Sequence, residues 1–258
     1  HEAAKRALMV AAAGGHNLIL SGPPGTGKTM LAEALTSLLP PPTIEEAIEI
    51  TEIYSAAGLN STTPLIEWRP FRSPHHSASL VSIMGGGSNP RPGEISLAHR
   101  GVLFLDELPE FHRDVLESLR QPLEEGKIHV ARAKKTIAFP ARFQLVAAMN
   151  PCPCGYFEDR EKECKCSAHE ILRYQKKLSG PLLDRLDIQL EIPRVSIEEL
   201  QKKNAPKNID AFRKQILEAR FVQHKRFGNT KPRLWNNAEM GAREVDSLIT
   251  LERDAEQF

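Results

Sequence analysis

Apolar residues fall into two alternating patterns along this chain. Short apolar or alternating segments lie between glycine-, proline- or polar-rich punctuation: 17–21, 101–105, 142–149 and 188–192. Between them, apolar residues recur every three or four positions, as on one face of a helix. All four predict strands, and the four apolar residues Val102–Leu105 fit a central one buried in a parallel sheet. Residues 2–13 place Ala3, Ala7, Val10 and Ala11 on one helical face of small residues, and Gly14-Gly15 ends that helix. Helical stretches are expected at 30–39, from a capping box at Thr43-Ile-Glu-Glu46 to about Ala57, and over 109–124 with Phe111, Val115, Leu116 and Leu119 on its apolar side. Residues 126–139 read as two short β-runs around the basic turn Arg132-Ala-Lys-Lys135. After Pro193 the composition turns to Lys/Glu-rich helix, 197–203 and 209–225, the start of a smaller helical unit. Both ends read as helices cut without caps, so the chain is expected to be a piece of a larger protein.

Chemistry enters with Gly22-Pro-Pro-Gly-Thr-Gly-Lys-Thr29, which joins the first strand to the following helix. This is a G-x-x-x-x-G-K-[ST] phosphate loop in the strand–turn–helix context that such a loop requires. The glycines Gly22, Gly25 and Gly27 let backbone N–H groups converge on phosphate oxygens, and the positive helix end adds to the anion site. Pro23, Pro24, Thr26 and Met30 complete the predicted nucleotide-binding set. Lys28 is expected to reach the β- and γ-phosphates of ATP, and Thr29 to hold Mg²⁺. The strand 101–105 ends in Asp106-Glu107, where open α/β sheets place their ligands. Asp106 would meet Mg²⁺ and Glu107 would polarise the attacking water. The strand 142–149 delivers Asn150 to the same edge, where an amide could orient that water or contact the γ-phosphate.

Two other groups are less general. Cys152-x-Cys154 and Cys164-x-Cys166, nine residues apart, offer four thiolates for a tetrahedral Zn²⁺. Free buried thiols are the simpler alternative, but these cysteines sit among Pro, Gly, Asp, Glu and Lys. Arg185, in Ser179-Gly-Pro-Leu-Leu-Asp-Arg185, would at its simplest form a surface salt bridge with Asp184 or Asp187. His75 and His76 tempt a metal assignment, but adjacent histidines seldom face one ion, and hydrogen bonding in a turn is the expected role.

The 258 residues are 41% hydrophobic and 26% charged, as in an ordinary globular protein of one or two domains. A net charge of +1 leaves no global field for nucleic acid, so any DNA site must be a local patch. No apolar run approaches the ~20 residues needed to cross a bilayer, and no secretory signal is visible. Four cysteines beside a phosphate loop suit a reducing cytoplasm.

Taken together, these residues resemble the magnesium-chelatase-like AAA+ ATPases of the ComM/YifB type. The likeness rests on Ala11-Ala-Ala-Gly-Gly-His-Asn17, Arg69-Pro-Phe-Arg72, Pro74-His-His76, Pro92-Gly-Glu-Ile-Ser-Leu-Ala-His99 and Val102-Leu-Phe-Leu-Asp-Glu-Leu108. Asn150-Pro-Cys-Pro-Cys-Gly155 and the segment ending at Arg185 add to it. It implies an α/β AAA+ domain over 1–193, a central parallel sheet flanked by helices, and a partial helical lid over 194–258. Within the domain it implies a helix-2 insertion at about 70–100, a hairpin at 127–139 and the Cys-rich segment 151–166. The insertion and the hairpin would face a ring pore, making Lys134 and Lys135 candidate DNA contacts. Asn150 is similar to the sensor-1 residue, and Arg185 to an arginine finger serving a neighbouring subunit. The resemblance further implies a Lon-protease-like domain ahead of the ATPase and a sensor-2 arginine in the lid, which neither Arg243 nor Arg253 matches. The function implied is an ATP-driven DNA branch-migration motor working as a homohexamer. A chelatase-type subunit and a protein remodeller are the alternatives.

Overall fold

Five short strands form one parallel sheet in a computed structural model that describes residues 2–59, 63–87, 89–132, 135–159, 161–194, 209–228, 230 and 234–250. They are β1 (Leu18–Ser21), β2 (Phe71–Arg72), β5 (Val102–Leu105), β8 (Gln144–Met149) and β9 (Ile188–Glu191), in the order β2-β5-β8-β1-β9. Two antiparallel ribbons stand apart from it. One pairs β3 (Gly85–Gly86) with β4 (Arg91–Pro92); the other pairs β6 (Lys127–Arg132) with β7 (Lys135–Pro140).

Alternation along the strands divides the core into two layers, because successive side chains leave a strand on opposite faces. Leu18, Leu20, Val102, Phe104, Val146 and Ala148 point to one side, where they meet α1 (Glu2–Gly14), α2 (Lys28–Leu38) and α10 (Ile209–Phe227). Ile19, Leu103, Leu105, Leu145 and Ala147 point to the other. That second layer is closed by α4 (Leu80–Met84), α5 (Glu94–Leu97) and α6 (Arg113–Ser118) through Ile83, Ile95, Val115 and Leu116.

Helix α1 buries Ala4, Leu8, Ala11 and Ala12, whereas Val10 is exposed and Ala3 lies outside the core. The expected small-residue face is thus rotated, because Leu8 carries the most apolar area and fixes the phase against α2 and α10. Helix α10 in turn closes the end of α1: Arg220 donates to Ala12 O at 3.0 and 2.6 Å, and Gln223 Nε2 to Ala13 O at 3.0 Å. These side chains satisfy carbonyls that a helix end leaves free. Burial pulls the Arg220 guanidinium down to about 10.

Helix α3 (Ile44–Ala56) starts at the expected capping box, with Thr43 and Glu46 bonded reciprocally. The helix expected over 109–124 is broken instead. A 3₁₀ turn at Leu108–Glu110 precedes α6, and α7 (Arg120–Glu125) follows a step at Leu119. Pro122 explains the step, since its ring lacks an N–H and crowds the carbonyl one turn back. The Arg-Pro-Phe-Arg segment supplies the edge strand β2, and α4, the small ribbon and α5 follow it between residues 80 and 97. The helix expected at 197–203 lies outside the described residues. No described helix is long and apolar enough to cross a membrane.

Candidate active site

The strand order puts β8 between the strand that enters the phosphate loop and the strand that ends in two carboxylates. Their C-terminal ends therefore deliver Ser21, Asn150 and Asp106 side by side at one sheet edge. In the loop, Gly25 and Gly27 have φ of 79° and 84°, a region where a side chain would be strained, and Gly27 is the N-cap of α2. Thr26 Oγ1 donates to Pro23 O at 3.0 Å and closes the turn. Pro23 is buried, while Pro24, Gly25 and Met30 lie at the exposed rim.

Lys28 is buried, and its ammonium donates to Gly22 O at 2.7 Å, Pro23 O at 2.9 Å and Asn150 Oδ1 at 3.2 Å. Burial pushes its pKa below the ordinary lysine range, partly offset by the Asp106 carboxylate. An anion at the mouth would oppose that cost. Thr29 Oγ1 donates to Asp106 Oδ2 at 3.2 Å. This hydroxyl–carboxylate pair is a hard-oxygen donor set that fits Mg²⁺.

Glu107 is the strained residue of the site, with φ 52° and ψ 46° on a non-glycine. Its N–H donates to Asp106 Oδ1 at 2.9 Å, which holds the turn. Its own carboxylate meets His76, with Nδ1 3.1 Å from Oε2, and the His76 ring packs edge-on against Phe111. His75 binds Ser77 Oγ at 2.8 Å, so turn hydrogen bonding holds for His75. The role of His76 beside Glu107 was not legible in the sequence. The adjacency of Pro74-His-His76 to an edge strand next to β5 is the signal that could have exposed it.

These groups converge at the crossover edge of a parallel sheet, and the comparisons agree with that geometry. Residues 1–200 match the family described as magnesium chelatase, subunit ChlI. The chain belongs to that family. It is 53% identical over 254 residues to YifB of Escherichia coli, covering 98% of this chain and 49% of that protein. It is 50% identical over 244 residues to the competence protein ComM of Haemophilus influenzae, covering 94% of this chain and 46% of ComM. The chain thus spans about half the length of the curated relatives it matches. The BchI–BchD complex of magnesium chelatase, built on a cryo-EM reconstruction, shares the fold at TM-score 0.54 and 24% identity, covering 88% of this chain and 74% of that one. The chain is an α/β AAA+ core.

Several motifs that carry the family resemblance form a polar frame rather than contacting the site. Arg72 forks onto Glu94 at 2.6 and 2.8 Å, joining β2 to α5. Arg69 reaches Glu46 at 2.7 Å and the carbonyls of Pro40 and Arg100 at 2.8 Å. Asn17 ties three strands at their start: its N–H donates to Asp187 at 2.8 Å, its Oδ1 accepts from Leu145 N at 2.8 Å, and its Nδ2 donates to Arg185 O at 2.9 Å.

The Arg185 side chain pairs with Glu124 at the end of α7, not with Asp184 or Asp187. Asp187 meets Asn17 and His16 instead. Both partners of the Arg185–Glu124 pair are nearly half exposed, so the pair is worth at most ~1 kcal/mol and leaves Arg185 available to another partner.

The two ribbons lie against each other. A Cβ placed on Gly86 of β3 would sit 3.8 Å from Val130 of β6. Lys134 lies outside the described residues, and of Lys135 only the backbone at the start of β7 is described.

The sulfurs of Cys152, Cys154, Cys164 and Cys166 all lie within 4.8 Å of one another. Three of the separations are 3.4, 3.6 and 3.7 Å. A tetrahedral Zn²⁺ with Zn–S of ~2.3 Å requires sulfurs roughly 3.8 Å apart, so the four thiols fit one such ion with little movement. The Tyr156 N–H pulls the Cys154 thiol down, whereas burial and the neighbouring thiols push Cys164 and Cys166 up despite a backbone hydrogen bond to each.

Proposed function

We propose that this chain is the ATPase core of a ring-forming DNA motor. The observation that carries the ATP reading is the convergence of Lys28, Asn150, Thr29, Asp106 and Glu107 at one sheet edge. In this reading the loop backbone and Lys28 bind the β- and γ-phosphates of ATP. Thr29 and Asp106 hold Mg²⁺, which would neutralise charge on the phosphates. Glu107 polarises the water, Asn150 orients it, and Arg185 acts on the ATP of a neighbouring subunit in a homohexamer. The four cysteines hold Zn²⁺. Residues 1–193 form the nucleotide-binding domain and 194–258 part of a lid.

The DNA part rests on two supports: the adjacent ribbons, one with a basic tip in its sequence, and the similarity to a competence protein. Backbone contacts without sequence readout suit a motor that must pass every sequence. Branch migration in the cytoplasm during uptake and recombination of foreign DNA is the specific task proposed.

An ATPase and unwinding assay on the full-length protein, with and without forked DNA, tests this. Forked DNA should stimulate turnover, and DNA binding should weaken steeply with salt. Turnover indifferent to DNA, with no salt-sensitive binding, would favour a chelatase-type subunit that acts through protein contacts.

A further inference from the structure

The four-cysteine segment is built into the wall of the phosphate loop. It begins directly after Asn150, whose amide oxygen accepts from Lys28. Its turn carries Gly155 at φ 85°, packed so closely on the loop that a Cβ there would lie 2.7 Å from Pro24 Cδ and 2.8 Å from Pro24 Cγ. Glycine is required twice over, by the backbone angle and by the approach. Gly155 N donates to Cys152 O at 3.0 Å, so the same residue that touches the loop closes the turn holding two of the thiols.

The segment is also fastened on its far side. Arg194, just past β9, reaches Asp159 at 3.3 Å and lies over the Tyr156 ring at 6.0 Å. Ile192, two residues earlier, donates to Ser21 O at 2.7 Å, at the strand end that launches the phosphate loop. Gln175 Nε2 contacts Pro151 O at 3.3 Å and fastens the start of the segment to α8 (Ala168–Gln175). Phe157 N donates to Cys152 Sγ at 3.3 Å, the kind of N–H···S contact that orients a metal-bound thiolate.

We propose that a Zn²⁺ bound by Cys152, Cys154, Cys164 and Cys166 clamps the phosphate loop, holding Gly155 against Pro24 so that the loop keeps its ATP-binding shape. This rests on the zinc reading of the cysteines and adds to it a coupling between metal and nucleotide. The described residues of 152–166 include no regular helix or strand. Four Zn–S bonds would replace the hydrogen-bonded framework that such a segment lacks, much as structural zinc does in small metal-dependent folds. Without the ion, the thiols no longer fix the Gly155 turn, and Pro24 loses its backstop.

Purified full-length protein should contain about one zinc per chain by elemental analysis, as a four-thiolate site requires. Replacing it with Co²⁺ should give the absorption bands of a tetrahedral thiolate site. After chelation and return of excess Mg²⁺, a fluorescent ATP analogue should bind roughly tenfold more weakly, with circular dichroism unchanged, and added Zn²⁺ should restore affinity. Gly155→Ala supplies an independent arm: it keeps all four thiols and should retain zinc, yet bind the analogue more weakly. Protein that carries no zinc and takes up no Co²⁺ overturns the metal reading itself. Zinc present, with analogue binding unchanged both after its removal and in Gly155→Ala, overturns the clamp and leaves the metal site standing.

Discussion

His76 holds Glu107: the imidazole Nδ1 lies 3.1 Å from the carboxylate oxygen of a residue whose backbone is already forced into the left-handed region. A carboxylate engaged this way is less free to accept a hydrogen bond from water. His76→Ala should raise basal ATP turnover a few-fold with KM for ATP unchanged, because the side chain engages Glu107 and packs on His75 and Phe111. Steady-state phosphate release checks this. A large fall in kcat would instead make His76 a group that aims Glu107 productively.

Lys28 and Glu107 separate binding from chemistry. Lys28 is the buried cation of the loop, so Lys28→Ala should abolish ATP binding in calorimetry. Glu107→Gln keeps size and hydrogen bonding but removes the base, so it should bind ATP like the parent and lose roughly 10²–10⁴-fold in turnover. Tight ATP binding by the Lys28 variant would sink the assignment.

Arg185 tests the ring. Its pairing with Glu124 is exposed and weak, so a neighbouring ATP could capture the guanidinium at little cost. Arg185→Ala should bind ATP normally and hydrolyse it roughly 10³–10⁵-fold more slowly. Mixing it with Lys28→Ala subunits should recover part of the activity, since some interfaces then join an intact loop to an intact finger. Mixed assemblies that recover nothing would return Arg185 to its contact with Glu124.

His99 makes the fold sensitive to acid. The Arg142 N–H donates to its Nδ1 at 3.0 Å, which leaves Nε2–H to donate to Glu49 at 3.0 Å, so the buried ring is neutral. Burial, with Arg100 and Arg142 nearby, pushes its pKa below the ordinary 6.5, against the pull of Glu49. The unfolded chain therefore takes up this proton first. Stability is complete above the unfolded value and is lost as pH falls below it, by at most ~1.4 kcal/mol per pH unit. Glu49, held at about 2 chiefly by its hydrogen bond to His99, extends the loss to lower pH. Chemical denaturation between about pH 7 and 5 should show this slope, and His99→Gln should flatten it.

The local pattern alone determined the phosphate loop, the strands around it and Asp106-Glu107. Their signals are short-range: a glycine spacing, an unbroken apolar run, a capping box at Thr43. Which layer each residue of β1, β5 and β8 joins then follows from strand geometry, which sends neighbours to opposite faces. Tertiary structure decided what depends on phase and crossing order. Leu8 rather than Val10 faces inward on α1 because α2 and α10 select the face. Asn150 reaches Lys28 because β8 inserts between β1 and β5, 122 residues from the loop in sequence. His76 meets Glu107, Arg185 meets Glu124 and Gly155 meets Pro24 for the same reason: these contacts join segments distant in sequence, so no periodicity within either partner encodes them.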